Sequence, residues 1–190
     1  MPHRHPALPT IWLMTDERMG DTLWQALERL PRGSGVVFRH YSLPLAARRA
    51  LFARVRRVAA RRQLVLIRAG RDRLGAREQG MHGRDPRRHP GINSWPAHSR
   101  AEICAGMRAG ADLIFVSPVF ATRSHPGGRT LGRRGALAIK QGIAARFIAL
   151  GGLTRSDQRW VTSAGFYGWA AIDAWTRPLP DDQKRRAVPI

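Results

Sequence analysis

Eight short apolar runs, each bounded by turn residues, constrain this chain more than any other feature. They are Ile11–Thr15, Val36–Arg39, Leu64–Ile67, Met81–Gly83, Ile92–Pro96, Leu113–Val119, Phe147–Leu150 and Trp169–Ala174. Most are continuously apolar instead of alternating, the pattern of strands buried on both faces of a parallel sheet. Between them, apolar residues at three- and four-residue spacing predict helices over Asp21–Leu30, Ala46–Arg62, Arg71–Gln79, Ser99–Ala109, Arg134–Gly142 and Ser156–Ala164. Ser99, with Glu102 three residues on, reads as a capping box, and Gly110 as a helix stop. Strand–helix alternation makes βαβ units, and eight of them in one domain predict an α/β fold, a small single-domain (β/α)8 TIM barrel. An open doubly wound sheet is the alternative. Helices should be reduced after strands four and eight. RDPRRHPG (Arg84–Gly91) carries two prolines, and Pro178, Pro180 and Pro189 leave room only for a stub around Asp181–Ala187. The expected layout is a tail over 1–10, the barrel over 11–177 and a second tail over 178–190.

A chain of 190 residues can bury one core of that size. MPHRHPALPT lacks the apolar run of a signal peptide, and no stretch has the length of uncharged apolar sequence that a membrane helix needs. Cys104 is the sole cysteine, so an internal disulfide and a cysteine metal cluster are excluded. These features predict a cytoplasmic protein without membrane association. The net charge of +20 would attract polyanions. It is carried mainly by scattered arginine, however, and in Ala46–Arg62 an apolar stripe of Ala47, Leu51, Val55, Val58 and Ala59 leaves Arg48, Arg49, Arg56 and Arg57 as a solvated face. No basic stripe interleaved with aromatics is visible, which makes nucleic acid the weakest partner class. A homo-oligomer is left open.

In such barrels the chemistry lies on the loops that follow the strands. Ser117–Gly128 (SPVFATRSHPGG) is a long polar loop after strand six, with Thr122, Ser124 and His125 able to meet an anion. An ordinary surface loop is the equal alternative. Gly151 and Gly152 follow strand seven and precede a helix, a setting that offers backbone N–H groups to phosphate. His98 stands just past strand five at a helix start. It is placed either to move protons near neutral pH or simply to cap the helix. Arg39 follows strand two and can serve an anion or pair with Asp16. No helical zinc-ligand spacing, phosphate-binding G-x-x-x-x-G-K-[ST] loop or nucleotide-binding G-x-G-x-x-G occurs.

From Gly80 to Trp175 the pieces stand in an order that resembles thiamin phosphate synthase and its relative TenI, the thiazole tautomerase. GMHG (Gly80–Gly83) is similar to G-V-H-L-G, and AHS (Ala97–Ser99) to S-x-H-[ST]. AGADLIFVSPVFATRSHPG (Ala109–Gly127) resembles A-G-A-D-Y-[IV]-x-x-G-P-V-F-x-T-x-[ST]-K. FIALGGL (Phe147–Leu153) and AGFYGWAAIDAW (Ala164–Trp175) resemble the last two family segments. The resemblance implies a barrel that binds a phosphorylated methylthiazole. Its phosphate would be held after strands seven and eight, with Thr122, Ser124, Gly151 and Gly152 as contacts.

The synthase also couples a pyrimidine pyrophosphate with magnesium, through Q-x-R-x-K after strand two, Asn-Asp after strand three and a later Asp. Here Val37, Arg39 and Tyr41 take the first set, Arg68-Ala69 has no Asn-Asp beside it, and only Asp85 can stand for the last. His125 replaces a lysine, and Asp173 replaces a phosphate-binding serine, a repulsive change unless Arg155 or another cation compensates it. The resemblance therefore implies a TenI-like proton-transfer enzyme of thiamin metabolism, with His98 matching the proton-moving histidine and a small phosphorylated heterocycle as ligand. No cofactor is implied; magnesium would be needed only by a synthase. Thiamin phosphate synthase proper and a non-catalytic binding or regulatory barrel are the alternatives.

Overall fold

A computed structural model of the chain describes residues 8–76, 78–122 and 127–176. It contains a closed parallel barrel in which each strand pairs with the next and the eighth returns to the first. The strands are β1 (Ile11–Met14), β2 (Gly35–Phe38), β3 (Val65–Ala69), β4 (Gly80–His82), β5 (Ile92–Ala97), β6 (Leu113–Val116), β7 (Phe147–Leu150) and β8 (Gly168–Ala171). All eight predicted runs are strands, and the open-sheet alternative is gone.

Alternation along each strand divides the apolar residues into two layers. Trp12, Met14, Val37, Ile67, Ala69, Leu113, Phe115, Ile148 and Ala170 fill the barrel as one cluster. Leu13, Val36, Phe38, Leu66, Ile114, Ala149 and Trp169 face outward and pack with the helices. Both faces being buried explains the continuously apolar runs. Gly35 is required by the filling: a Cβ there would enter the Trp12 ring.

Five α-helices cover the described wall: α1 (Thr22–Arg29), α2 (Leu45–Arg61), α3 (Arg100–Arg108), α4 (Gly132–Lys140) and α5 (Gln158–Ser163). The helix α1 buries Leu23, Ala26 and Leu27 at helical spacing. On α2 the buried face is Arg48, Phe52, Val55 and Ala59, one residue round from the stripe read from the sequence. Arg48 is therefore not part of a solvated face, because acceptors at the strand ends take its guanidinium into the wall.

The helix expected over Arg71–Gln79 does not form among the described residues of that segment. Its polar side chains turn back to the sheet instead. The Glu78 carboxylate accepts the backbone N–H groups of Leu74 (2.5 Å) and Gly75 (3.2 Å) and pairs with Arg68 Nε (2.7 Å). The Gln79 amide oxygen accepts the Leu66 N–H at 2.7 Å. Side-chain acceptors that satisfy the backbone locally compete with a helix. The connection from β4 to β5 has no helix either, as its prolines imply. After β8, residues 172–176 form turns, and the stub expected around Asp181–Ala187 lies outside the described residues.

Candidate active site

The C-terminal ends of the strands bring Asp16, Arg39, His82, His98, Ser117, Gly151 and Asp173 to one face of the barrel. His98 is fixed at both its backbone and its ring. Ser99 caps α3, its hydroxyl accepting the Glu102 N–H at 3.3 Å, while the Glu102 carboxylate accepts the His98 N–H at 2.5 Å. Arg84 holds the other Glu102 oxygen at 2.6 Å. The ring Nδ1 of His98 lies 2.7 Å from the Ser117 carbonyl oxygen and 3.3 Å from its hydroxyl. A carbonyl oxygen only accepts, so Nδ1 carries the hydrogen, and Nε2 is the nitrogen left to take up or release a proton. His98 as a whole is exposed at the mouth, with its ring partly buried where it meets Ser117. His98 thus helps to order the helix start through its backbone while its ring points a titratable atom elsewhere.

After β6 the chain runs along the end of β7. Val119 N–H donates to Leu150 O (2.9 Å) and Phe120 N–H to Gly151 O (3.0 Å). Gly151 (φ +102°) and Gly152 (φ +65°) permit this approach. A Cβ on Gly151 would lie 2.8 Å from Pro118 Cα, and one on Gly152 2.8 Å from Phe120 Cβ and against the Ala121 carbonyl. The paired glycines therefore have a packing role beside any role towards phosphate. Thr122 is half-buried just beyond this crossing, while Ser124 and His125 lie outside the described residues. The helix start after β7 is served by the chain itself: Asp157 accepts the Thr154 N–H at 2.9 Å and its hydroxyl at 2.8 Å.

Arg39 is held by protein groups. Its Nε donates to Thr15 O (2.7 Å), and its Nη2 lies 2.6 Å from Asp16 Oδ2, the pairing foreseen as the alternative to an anion contact. Asp173 is half-buried in the turn after β8, with its carbonyl accepting from Thr176. The guanidinium of Arg155, the cation named for compensation, lies 4.5 Å from the centre of the Trp175 ring.

Two side chains take on a place at the mouth that their sequence context does not show, His82 and Arg48. His82 ends β4 within the barrel, with Nδ1 2.9 Å from Ser94 Oγ and its ring edge-on to Phe115 at 4.9 Å. Burial first, and then the charge of Arg39, push its pKa down to about 3, so it is neutral at physiological pH. The signal is its place within the very short run Met81–Gly83, where it ends β4 and its side chain lies on the inner, mouth-ward layer.

Magnesium does not fit the residues present. The carboxylate following β3, Asp72, faces the Arg48 guanidinium at 3.5 Å. Asp85 is engaged by the Arg87 N–H (3.0 Å) and by His89 (3.1 Å), and the backbone donor, followed by His89, holds its carboxyl below the usual value. Among the described residues, no group of three or more His, Cys, Asp or Glu side chains could hold a metal ion. Arg39, Arg48 and the buried Arg68 add positive charge at the ends of β2 and β3. A hard divalent cation takes oxygen ligands, and these fixed positive charges repel it.

No helix among the described residues is long and apolar enough to cross a membrane. Residues 91–175 match the family model described as thiamine monophosphate synthase. A thiamine-phosphate synthase of Chloroflexus aurantiacus is 34% identical over 79 residues, 41% of this chain and 37% of the relative. One of Geobacillus thermodenitrificans is 38% identical over 80 residues, 41% of this chain and 36% of the relative. The matched part thus spans little more than a third of either relative's length. In fold, the chain is similar to the thiamine phosphate pyrophosphorylase of Pyrococcus furiosus, with a TM-score of 0.73 at 21% identity, covering 93% of this chain and 91% of that one. The family match begins just before β5 and runs through β8, taking in His98, Ser117 and the paired glycines. These matches over residues 91–175, together with the barrel, support a place in the thiamin phosphate synthase/TenI superfamily.

Proposed function

We propose that this protein is a TenI-like isomerase, which shifts a proton on a phosphorylated thiazole and leaves it aromatic. The observation that carries this reading is the His98–Ser117 bond. With Nδ1 tied to a carbonyl, the imidazole has one tautomer and one orientation, and Nε2 is the atom that takes a proton from the ring system and returns it. An isomerisation needs nothing else in balance: the proton removed at one position is delivered at another. Thr122, Ser124, His125, Gly151 and Gly152 are the proposed contacts of the small phosphorylated heterocycle, with Arg39 adding positive charge beside them.

The relatives' names favour a second reading, thiamin phosphate synthase itself. It would require magnesium, and the carboxylates after β3 and β4 are already engaged. One assay distinguishes the readings. Given the non-aromatic thiazole phosphate tautomer, the isomerase converts it faster than buffer does. Given thiazole phosphate, the pyrimidine pyrophosphate and magnesium, a synthase releases pyrophosphate. A barrel that only binds does neither and still retains the thiazole phosphate. On the isomerase reading, Asp173→Ser is expected to tighten thiazole phosphate binding measured by calorimetry, since it removes an anion beside the ligand phosphate. Equal affinities would place Asp173 away from the ligand.

A further inference from the structure

Arg48 is one of the chain's many arginines, yet its side chain is only 4% exposed and its guanidinium is enclosed by oxygen. Nη2 donates to Ala69 O at 2.6 Å and to Arg39 O at 2.9 Å. Nε donates to Arg39 O at 3.2 Å, and Nη1 lies 3.5 Å from the Asp72 carboxylate. The guanidinium carbon is 5.2 Å from the centre of the Tyr41 ring. Two backbone carbonyls from the ends of β2 and β3, a solvent-exposed carboxylate on the following loop and an aromatic face surround the cation. Carbonyl and carboxylate oxygens are the ligands a hard metal ion takes. Here the cation is covalently part of α2.

We infer that Arg48 is a resident cation, filling an oxygen cage between the ends of β2 and β3 so that this side of the barrel mouth takes no metal ion. The reason is geometric as well as electrostatic. The flat guanidinium satisfies both strand-end carbonyls at once, which one compact ammonium on a flexible stem does less well. Its fixed charge repels a second cation from the same oxygens, and Arg39 nearby reinforces that. Beside the carboxylates already engaged after β3 and β4, this side chain is a further reason that the mouth takes no magnesium. The inference concerns cation binding and is independent of whether His98 moves a proton, so either can fail alone.

Terbium, a luminescent stand-in for hard cations, tests it, because Tyr41 lies close enough to sensitise an ion in the cage. Wild type is expected to give no luminescence above a Tyr41→Phe control and no saturable heat with magnesium, and its melting temperature should ignore millimolar magnesium. Arg48→Ala should melt lower, recover part of the loss with magnesium, and show several-fold higher terbium luminescence that Tyr41→Phe removes. Arg48→Lys, which keeps a cation in the cage, should stay dark, and it serves as the test if Arg48→Ala does not fold. Magnesium or terbium binding at this place in wild type or in Arg48→Lys overturns the inference. So does a folded Arg48→Ala variant that neither binds terbium nor responds to magnesium.

Discussion

The Nδ1 of His98 lies 2.7 Å from the Ser117 carbonyl oxygen, a bond that ties the end of β5 to the end of β6. The two residues are 19 apart in sequence, and the bond forms because parallel pairing of Ala97 with Val116 sets their strand ends level. The backbone repeats the link, with the Ser117 N–H donating to Ala97 O at 3.0 Å. A proton-moving histidine on a loop end is thereby given the rigidity of the sheet.

His82 makes the fold sensitive to acid. Its pKa is 6.5 ordinarily and about 3 when buried. Below the ordinary value the unfolded chain takes up a proton that the native barrel refuses, so stability falls as pH drops through this window, by up to about 1.4 kcal/mol per pH unit. Burial lowers the His40 pKa as well, and its contribution has the same sign. His82→Gln, neutral at every pH, should show a flatter decline in urea unfolding between about pH 7 and about pH 5. Parallel profiles would mean that the native barrel takes up this proton as readily as the unfolded chain does.

Arg68 and Glu78 form a buried pair, 2.7 Å apart with side chains 3% and 12% exposed. Removing the carboxylate alone strands a buried guanidinium and releases the loop between β3 and β4. Glu78→Ala should therefore cost about 3–5 kcal/mol in chemical denaturation, far more than a surface ion pair. A loss below about 1 kcal/mol would show the pair to be solvated.

Much of this barrel can be read from the chain, because both faces of a parallel sheet are buried and each strand must be apolar throughout. That reasoning locates all eight strands, and it places His98 just past the fifth. It fails where one polar side chain decides. Arg71–Gln79 has helical spacing, yet Glu78 has stronger use for its carboxylate at Arg68, Leu74 and Gly75. Arg48 reads like its arginine neighbours, and only the closed barrel reveals two carbonyls within its reach. The paired glycines suggest phosphate, while their contacts with Pro118 and Phe120 are visible only once the loop after β6 is laid across β7.

Gly152 is the sharper test of that crossing. Gly152→Ala forces a side chain into left-handed backbone at φ +65° and against Phe120 and the Ala121 carbonyl. The left-handed conformation alone costs roughly 1–2 kcal/mol. Thermal unfolding should show at least that loss, together with weaker retention of thiazole phosphate. A variant as stable as wild type would mean that the loop is not packed on the glycine.

Turnover of the non-aromatic thiazole phosphate by wild type and His98→Asn tests whether His98 moves a proton on the thiazole ring. General acid–base groups contribute about 10²–10⁴ in rate, so the variant should lose that much in kcat while keeping its KM and melting temperature. Wild-type turnover no faster than buffer, or a His98→Asn variant as active as wild type, would contradict the account.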